Sequence, residues 1–363
     1  MMNDIDYMHK AQQLALKARG ETSPNPLVGS VIVKGNKVIA EGWHRRCGSD
    51  HAEIVALKKA GKRARGLRMY VTLEPCHHYG RTPPCVDQII QSGIKNVVIG
   101  MKDPNRSTNG KSIIKLRRAG IRVKVGVLQK DLEVMNEAFV KYATKRMPYI
   151  AVKSAQSLDG KIATAKGHSQ WITSEAARRF ARGIRDEYDA ILVGINTVLR
   201  DDPRLDGSKK AKRLKKIILD SSLKISPYAR LFSGARSSDI FIVTTNKASR
   251  RKKEAFLKKG SHVIICPQRG GLFDLKWLFK ELAKREIMSV LVEGGAHVVG
   301  NALKEKLVDK MYIYIAPIIL GDQNALSSVV GINIENVNKA IRLKKVTLKR
   351  IAEDTFIQGY LHT

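Results

Sequence analysis

With 363 residues, 43% hydrophobic and 27% charged, the chain is long for one core and comfortable for two domains. Such a composition excludes a collagen-like or low-complexity polypeptide, and four cysteines fit a reducing compartment rather than a disulfide framework. The formal charge of +33 raises nucleic-acid binding, since basic surfaces attract phosphate backbones. The lysines are spread through the chain, however, and no RGG tract, zinc-finger spacing or basic heptad helix concentrates them. The preferred reading is solvated basic faces, with some cations serving small phosphorylated ligands and no specific nucleic acid.

The polar start Met1-Met2-Asn3-Asp4 lacks the basic-then-apolar layout of a signal peptide. The apolar run Met311 to Leu320 is too short to span a bilayer and contains Pro317. A cytoplasmic protein without a membrane partner is therefore expected.

The first part of the chain alternates helix and strand. Asp6 to Arg19 is predicted as an amphipathic helix stopped by Gly20. Leu27 to Val33 and Lys37 to Glu41 are predicted strands joined by a turn at Lys34-Gly35-Asn36. Asp50 is placed to cap a helix from His51 to Ala60. A strand over Met69 to Leu73, a helix over Pro83 to Gln91 and a strand over Lys95 to Gly100 follow. Lys111 to Arg118 is a predicted helix, Ile121 to Val125 a strand, and Leu132 to Tyr142 one closing helix. This alternation predicts an α/β layered domain.

A boundary is expected around Thr144 to Pro148. Beyond it, strands are predicted at Tyr149 to Ser154, Ala190 to Val193, Lys216 to Leu219, Ile240 to Thr244, Val263 to Cys266 and Ser289 to Val292. Helices are predicted at Ser174 to Arg185, Leu275 to Ala283 and Ala296 to Leu303. Strands at Lys310 to Ala316, Leu343 to Ile351 and Thr355 to Tyr360 end a second α/β domain with antiparallel-looking pairing.

The chemistry concentrates in His51-Ala52-Glu53, followed by Pro75-Cys76 and Cys85. One imidazole and two thiolates fill three of zinc's four tetrahedral positions, and the open fourth activates water. Glu53 is not a ligand in this reading; it would carry protons from the attacking water to a departing amine. Helix N-termini at His51 and Cys85 would help hold the thiolates deprotonated. A structural zinc is the bland alternative, and Cys47 is a competing ligand close in sequence to His51.

Taken with Pro24-Asn25-Pro26-Leu27-Val28-Gly29 and the stretch from Thr72-Leu73-Glu74-Pro75-Cys76 to Pro83-Pro84-Cys85, the chain resembles the bifunctional deaminase/reductase family of riboflavin biosynthesis. The eight residues between Cys76 and Cys85 carry much of this likeness, because other nucleoside and polynucleotide deaminases usually have Pro-Cys-x-x-Cys. Further matches are Lys153 to Lys161, Ser169 to Ser174, Asn196 to Leu205 and Leu291-Val292-Glu293-Gly294-Gly295. The resemblance implies a cytidine-deaminase-like α/β/α layered domain over 1–145, zinc-dependent. It implies a dihydrofolate-reductase-like α/β domain over 146–363, NADPH-dependent. No G-x-G-x-x-G opens a helix, so the usual dinucleotide fingerprint is absent.

By the same resemblance, Asn25, His44, Arg81, Asp103 and Asn105 contact the substrate of the first domain. Lys153, Ser169, Thr173, Arg185, Leu205 and Glu293 contact that of the second, with Arg185 near its phosphate and Asp201 moving the proton. Ser154, Ser157, Trp171, Asn196, Thr197, Gly294 and Gly295 hold the cofactor. The implied substrate is a small phosphorylated pyrimidine, first deaminated at its 2-amino group and then reduced from a ribosyl to a ribityl chain. A homo-oligomer is expected. The chain departs from the family after Asp201-Asp202-Pro203-Arg204-Leu205, where Thr-Val-Arg usually follows and here Asp206-Gly207-Ser208-Lys209-Lys210 stands. Either Lys209 or Lys210 then supplies a point charge in place of a bidentate arginine, or phosphate binding is weaker. A tRNA or nucleobase deaminase and a basic RNA-binding protein with inactive sites are the competing functions.

Overall fold

The computed structural model describes residues 2–77, 79, 83–106, 108–209 and 213–361. The chain divides into two compact units, Met1–Met147 and Pro148–Thr363. Arg81 and Lys210, both named above, lie outside the described residues.

In the first unit, helix α1 (Asp4–Leu16) precedes β1 (Gly29–Lys34), β2 (Lys37–Trp43), α2 (Ala52–Ala60), β3 (Arg68–Leu73), α3 (Cys85–Gln91), β4 (Asn96–Met101), α4 (Lys111–Arg118) and β5 (Arg122–Val125). The sheet order is β2-β1-β3-β4-β5; the hairpin β1–β2 and the β1–β3 pair are antiparallel, and β3, β4 and β5 run parallel. The central strands β1, β3 and β4 are near-continuously buried because helices cover the sheet, and Met8, Val31, Ile32, Met69, Val71, Val97, Ile99 and Leu116 join one buried core. Helix α1 begins at Asp4, two residues earlier than its pattern predicts. Asn3 and Asp6 form a capping box there: Asn3 Oδ1 accepts from the Asp6 N–H, and Asp6 Oδ2 from the Asn3 N–H.

The helix predicted over Leu132 to Tyr142 is two helices, α5 (Gln129–Met135) and α6 (Glu137–Lys145), hinged at Asn136. The buried Asn136 side chain accepts from the Leu27 N–H at 2.8 Å and donates to the Leu27 carbonyl at 3.0 Å, stitching the kink to the chain just before β1. Asn136→Ala strands both backbone groups of Leu27, so the first unit should lose about 2–3 kcal/mol in a urea melt.

The second unit runs β6 (Tyr149–Ser157), β7 (Lys161–Ala163), α7 (Glu175–Arg185), β8 (Ala190–Gly194), α8 (Ile195–Asp201), β9 (Lys215–Leu219), β10 (Ile240–Thr244), α9 (Arg250–Lys258) and β11 (His262–Ile265). A short hairpin, β12 (Gln268–Arg269) with β13 (Leu272–Phe273), leads to α10 (Leu275–Lys284), β14 (Ser289–Glu293), α11 (Ala296–Lys304) and β15 (Lys310–Ala316). β16 (Leu326–Ser327) pairs with β7, and β17 (Lys344–Ile351) with β18 (Asp354–Tyr360) closes the chain. Nine strands form one sheet in the order β11-β10-β9-β8-β14-β6-β15-β18-β17. From β11 to β15 neighbours are parallel, and the last two strands add antiparallel pairs. Helices α8 and α9 have no counterpart in the predicted elements. Each is short, and α9 opens with Arg250-Arg251-Lys252-Lys253, too polar to show an apolar stripe. Among the described residues, no helix is long and apolar enough to cross a membrane.

Candidate active sites

In the first unit, three elements deliver the metal-type donors. His51 is the N-cap of α2 rather than a residue of its first turn. Asp50, predicted as the cap, instead pairs with Lys58 at 2.6 Å, and no side chain caps this helix end. Cys76 follows the end of β3, and Cys85 is the first residue of α3, with Pro84 as N-cap. The three ligand atoms lie within 4.8 Å of one another. His51 Nδ1 is 3.1 Å from Cys85 Sγ and 3.6 Å from Cys76 Sγ. Tetrahedral Zn–N and Zn–S bonds imply ligand separations of about 3.6 Å, so the donor set fits zinc. Cys47, the competing candidate, is not in this group among the described residues.

The electrostatics favour a thiolate at Cys76 and the protonated forms at Cys85 and His51. The hydrogen bond from Cys85, reinforced by His51, holds the Cys76 thiol down at about 4, and the Cys85 backbone N–H also donates to Cys76 Sγ at 3.2 Å. Cys85 is pushed well up, first by its contact with Cys76 and then by burial. Contact with Cys76 raises His51. Glu53 is 3% exposed in the first turn of α2, and burial pushes its carboxyl up to about 7. A carboxyl titrating there can both accept and return a proton near neutrality.

His44, immediately after β2, is buried and packs edge-on against the His51 ring at 5.2 Å. Its Nδ1 donates to the Asp50 carbonyl at 3.1 Å, and burial lowers its pKa, so the ring is neutral and Nε2 accepts. The partner at Nε2 is Asn25 Nδ2, 3.0 Å away. Asp103 and Asn105 lie on the loop after β4, with the Asn105 N–H donating to Asp103 Oδ1 at 2.8 Å. That loop is tied down by Glu74, a residue not assigned a role from sequence. The buried Glu74 carboxylate accepts from the backbone N–H groups of Asp103 (3.3 Å), Gly110 (2.9 Å) and Ser112 (3.2 Å). Its signal was an acid directly after the apolar strand Met69 to Leu73, where a buried charge needs partners. His77 Nδ1 is buried without a hydrogen bond among the described residues, and His78 lies outside them.

In the second unit, Lys153 on β6 and Glu293 on β14 are directly paired in register, and Lys153 Nζ is 4.0 Å from Glu293 Oε2. Arg185, the last residue of α7, grips the same carboxylate bidentately, Nε to Oε1 at 2.7 Å and Nη2 to Oε2 at 2.8 Å. Burial opposes charge on Glu293, but the Arg185 and Lys153 cations overcome it and hold the carboxyl below its usual range. Burial likewise lowers Lys153. Arg185, which the resemblance places near a phosphate, spends these nitrogens on Glu293 and donates Nη1 to the Asp206 carbonyl at 2.8 Å.

Gly294 and Gly295, with φ of 91° and 80°, turn β14 into α11. A Cβ on Gly294 would come within 3.1 Å of Thr197 Oγ1, and one on Gly295 within 3.2 Å of Val298 Cγ2. The adjacent strand β8 turns into α8 through Gly194, bringing Thr197 beside this glycine pair, with Asn196 next to it in the chain. Such paired strand-to-helix turns at the carboxyl ends of parallel strands form a phosphate-accepting crevice, so the residues fit a dinucleotide. Ser169 Oγ donates to Asp201 Oδ1 at 3.3 Å. Trp171 is 66% exposed with the Arg178 guanidinium 4.2 Å from its ring, and the buried Thr173 accepts from Arg178 Nη1 through its carbonyl. Ser154 Oγ reaches Gln156 Oε1 at 3.4 Å. Ser157 is fully buried and its hydroxyl serves the β6–β7 turn, bonding Asp159 Oδ1 and the Lys161 N–H. Leu205 is buried at a φ of 57°.

The folds and sites define a two-part enzyme, a zinc-type deaminase joined to a dihydrofolate-reductase-like reductase. Residues 1–101 match the cytidine and deoxycytidylate deaminase zinc-binding region, and residues 148–357 match the RibD C-terminal domain. The riboflavin biosynthesis protein RibD of Aquifex aeolicus is 42% identical over 98% of this chain and 99% of its own, and that of Escherichia coli 38% identical over 97% and 98%. The solved Acinetobacter baumannii RibD superposes with a TM-score of 0.90 at 33% identity, covering 99% of each chain. A Thermotoga maritima diaminohydroxyphosphoribosylaminopyrimidine deaminase/5-amino-6-(5-phosphoribosylamino)uracil reductase superposes at 0.86 with 34% identity, again covering 99% of each. The chain belongs to the RibD family, the bifunctional deaminase/reductases of riboflavin biosynthesis, whose cofactors are zinc and NADPH.

Proposed function

We propose that the first unit removes the 2-amino group of 2,5-diamino-6-ribosylamino-4(3H)-pyrimidinone 5′-phosphate as ammonia, and that the second reduces the ribosyl group of the product to a ribityl chain. The observation that carries this reading is the His51, Cys76 and Cys85 donor set with Glu53 buried beside it. His51, Cys76 and Cys85 hold zinc, which supplies the Lewis acidity that makes water nucleophilic near neutral pH. Glu53 takes a proton from the attacking water, passes it to the ring nitrogen, and gives a second to the leaving amine. With its Nδ2 turned to His44, Asn25 offers Oδ1 to an N–H of the pyrimidine. Asp103, Asn105 and Arg81 complete the contacts with the substrate.

In the second unit, NADPH supplies the hydride that reduces C1′ of the sugar. Gly294, Gly295, Asn196 and Thr197 cradle the cofactor, helped by Ser154, Ser157 and Trp171. Lys153 and Glu293 orient the sugar, with Glu293 aimed by Arg185. Ser169, Thr173 and Leu205 flank the substrate, and Asp201 transfers the proton that accompanies ring opening. Lys209 or Lys210 supplies the charge for the 5′-phosphate that the family's arginine would otherwise give. The domains are assigned as 1–145 for deamination and 146–363 for reduction. The test is sequential: the zinc-loaded chain should release ammonia from the diaminopyrimidine, and the product should then drive NADPH oxidation. No ammonia from the first step, or no NADPH consumption in the second, overturns the corresponding half.

The chain is further proposed to work in the cytoplasm, where its free cysteines stay reduced, and as a homo-oligomer. β17 is an edge strand exposed along nearly its whole length, with Leu348 69% and Val346 45% exposed, and Val337 before it is 79% exposed. Lys344, Lys345, Lys349 and Arg350 share this edge and oppose strand-to-strand pairing, so a second copy would dock on the exposed Val346, Leu348 and Val337 side chains. Sedimentation velocity should show a dimer or larger species that Leu348→Lys weakens; a monomer at assay concentration would refute it. Cell fractionation that found the protein outside the cytoplasm would refute the location.

A further inference from the structure

Lys216 lies on β9 with its side chain only 2% exposed, an unusual place for an ammonium. It is accommodated because Nζ donates to three acceptors: the Arg204 carbonyl at 2.6 Å, Asp206 Oδ1 at 2.9 Å and the Leu231 carbonyl at 3.0 Å. Two of these flank Leu205, which holds a left-handed backbone that a branched-chain L-residue adopts only when its surroundings force it. The turn is pinned from its other side by Asp186. Its buried carboxylate accepts the backbone N–H groups of Ser208 (3.1 Å) and Lys209 (3.2 Å) and the Ser208 hydroxyl. A Cβ at Gly207 would run into that carboxylate, so glycine is required there for the turn to close.

The Asp206 carbonyl, fixed in this way, accepts Arg185 Nη1, and the remaining guanidinium face grips Glu293, which faces Lys153. One unbroken path therefore runs from Lys216 on β9 through Asp206, Arg185 and Glu293 to Lys153 on β6, across four adjacent strands of the sheet. Asp206 is also the first residue at which this chain leaves its family's usual Thr-Val-Arg. A carboxylate there is intelligible once a buried lysine stands 2.9 Å away to receive it.

We propose that Lys216 is a positioning residue of the reductase site: it fixes the Arg204–Asp206 turn and, through the Asp206 carbonyl, the direction in which Arg185 presents Glu293 to the sugar. This rests on the reading of the second unit as the reductase. The path acts through the side chains of Glu293 and Lys153, proposed above to orient the sugar, and not through the backbone of the Gly294-Gly295 turn, so the effect falls on the ribosyl substrate rather than on NADPH.

The test is steady-state reduction of 5-amino-6-(5-phosphoribosylamino)uracil by full-length Lys216→Met and Asp206→Ala, with ammonia release from the first unit as the control on each preparation. In Lys216→Met the KM for the ribosyl substrate should rise about tenfold or more, as displaced positioning groups do, while the KM for NADPH and ammonia release stay unchanged. Asp206→Ala, at a half-exposed side chain, should shift the same KM by less and add little on top of Lys216→Met, because both act on one path. An unchanged ribosyl-substrate KM in Lys216→Met overturns the proposal, and so does a parallel rise in both KM values. If Lys216→Met does not fold, Asp206→Ala decides by the same criterion. An unmutated chain that oxidises no NADPH fails the reductase reading itself, and the proposal with it. An active one with unmoved variants fails the proposal alone.

Discussion

Glu53→Gln should cut ammonia release by about two to four orders of magnitude, the range general acid–base groups contribute, and leave zinc content and NADPH-dependent reduction where they were. Glutamine keeps the size and hydrogen-bonding outline of the side chain, so the nearly closed space around residue 53 needs no repacking. It cannot exchange a proton. The carboxyl, raised to about 7 by burial, is matched to a task that alternates between base and acid near neutral pH. Glu53 is also outside the group of donors that could hold the metal, so its loss should not empty the site. Metal analysis and the two activity assays on one preparation separate the outcomes. Retention of a tenth of the deaminase rate would remove Glu53 from proton transfer, and loss of zinc would make it a ligand.

The grouping of His51, Cys76 and Cys85 was legible in the sequence because its chemistry is local: each donor sits near a strand end or helix start that the pattern itself marks. Helix α4 was legible over its full span, Lys111 to Arg118, because its apolar positions Ile113 and Leu116 recur at helical spacing behind Gly110. Other features depended on partners far away in the chain. Asp50 has the composition of a cap, yet its carboxylate is drawn to Lys58 and His51 takes the cap position. The kink at Asn136 is set by Leu27, 109 residues earlier, which no helical periodicity encodes. Glu74 read as part of a motif, and only the fold reveals that it gathers the backbone N–H groups of Asp103 and Gly110 from the loop after β4 and that of Ser112 from the first turn of α4. The departure at Asp206 looked like a loss while only its neighbours in sequence were in view. Lys216 supplies its counterpart from ten residues on, inside a strand.

Glu293→Leu should destabilise the second unit by about 3–5 kcal/mol, the cost of removing one partner from a buried ion pair. Two cations lose their common carboxylate: Arg185, 17% exposed at its side chain, and Lys153, 20% exposed. Leucine restores apolar volume and cannot restore the charge, so Lys153 loses its ion-pair partner and Arg185 keeps only the weaker attraction of Asp206 and Asp186. Differential scanning calorimetry should show the reductase transition moving down while ammonia release by the first unit persists to its usual temperature. The acid limb gives a second signature. Glu293 is held below its usual range when folded, so its contribution is complete above an unfolded carboxyl pKa of about 4.3 and is lost as pH falls through the lower folded value. The unmutated chain should therefore lose stability on acidification more steeply than the leucine variant. Equal slopes would mean that Arg185 and Lys153 are not sustained by this carboxylate, and the bidentate grip of Arg185 on Glu293 would be of no consequence for folding.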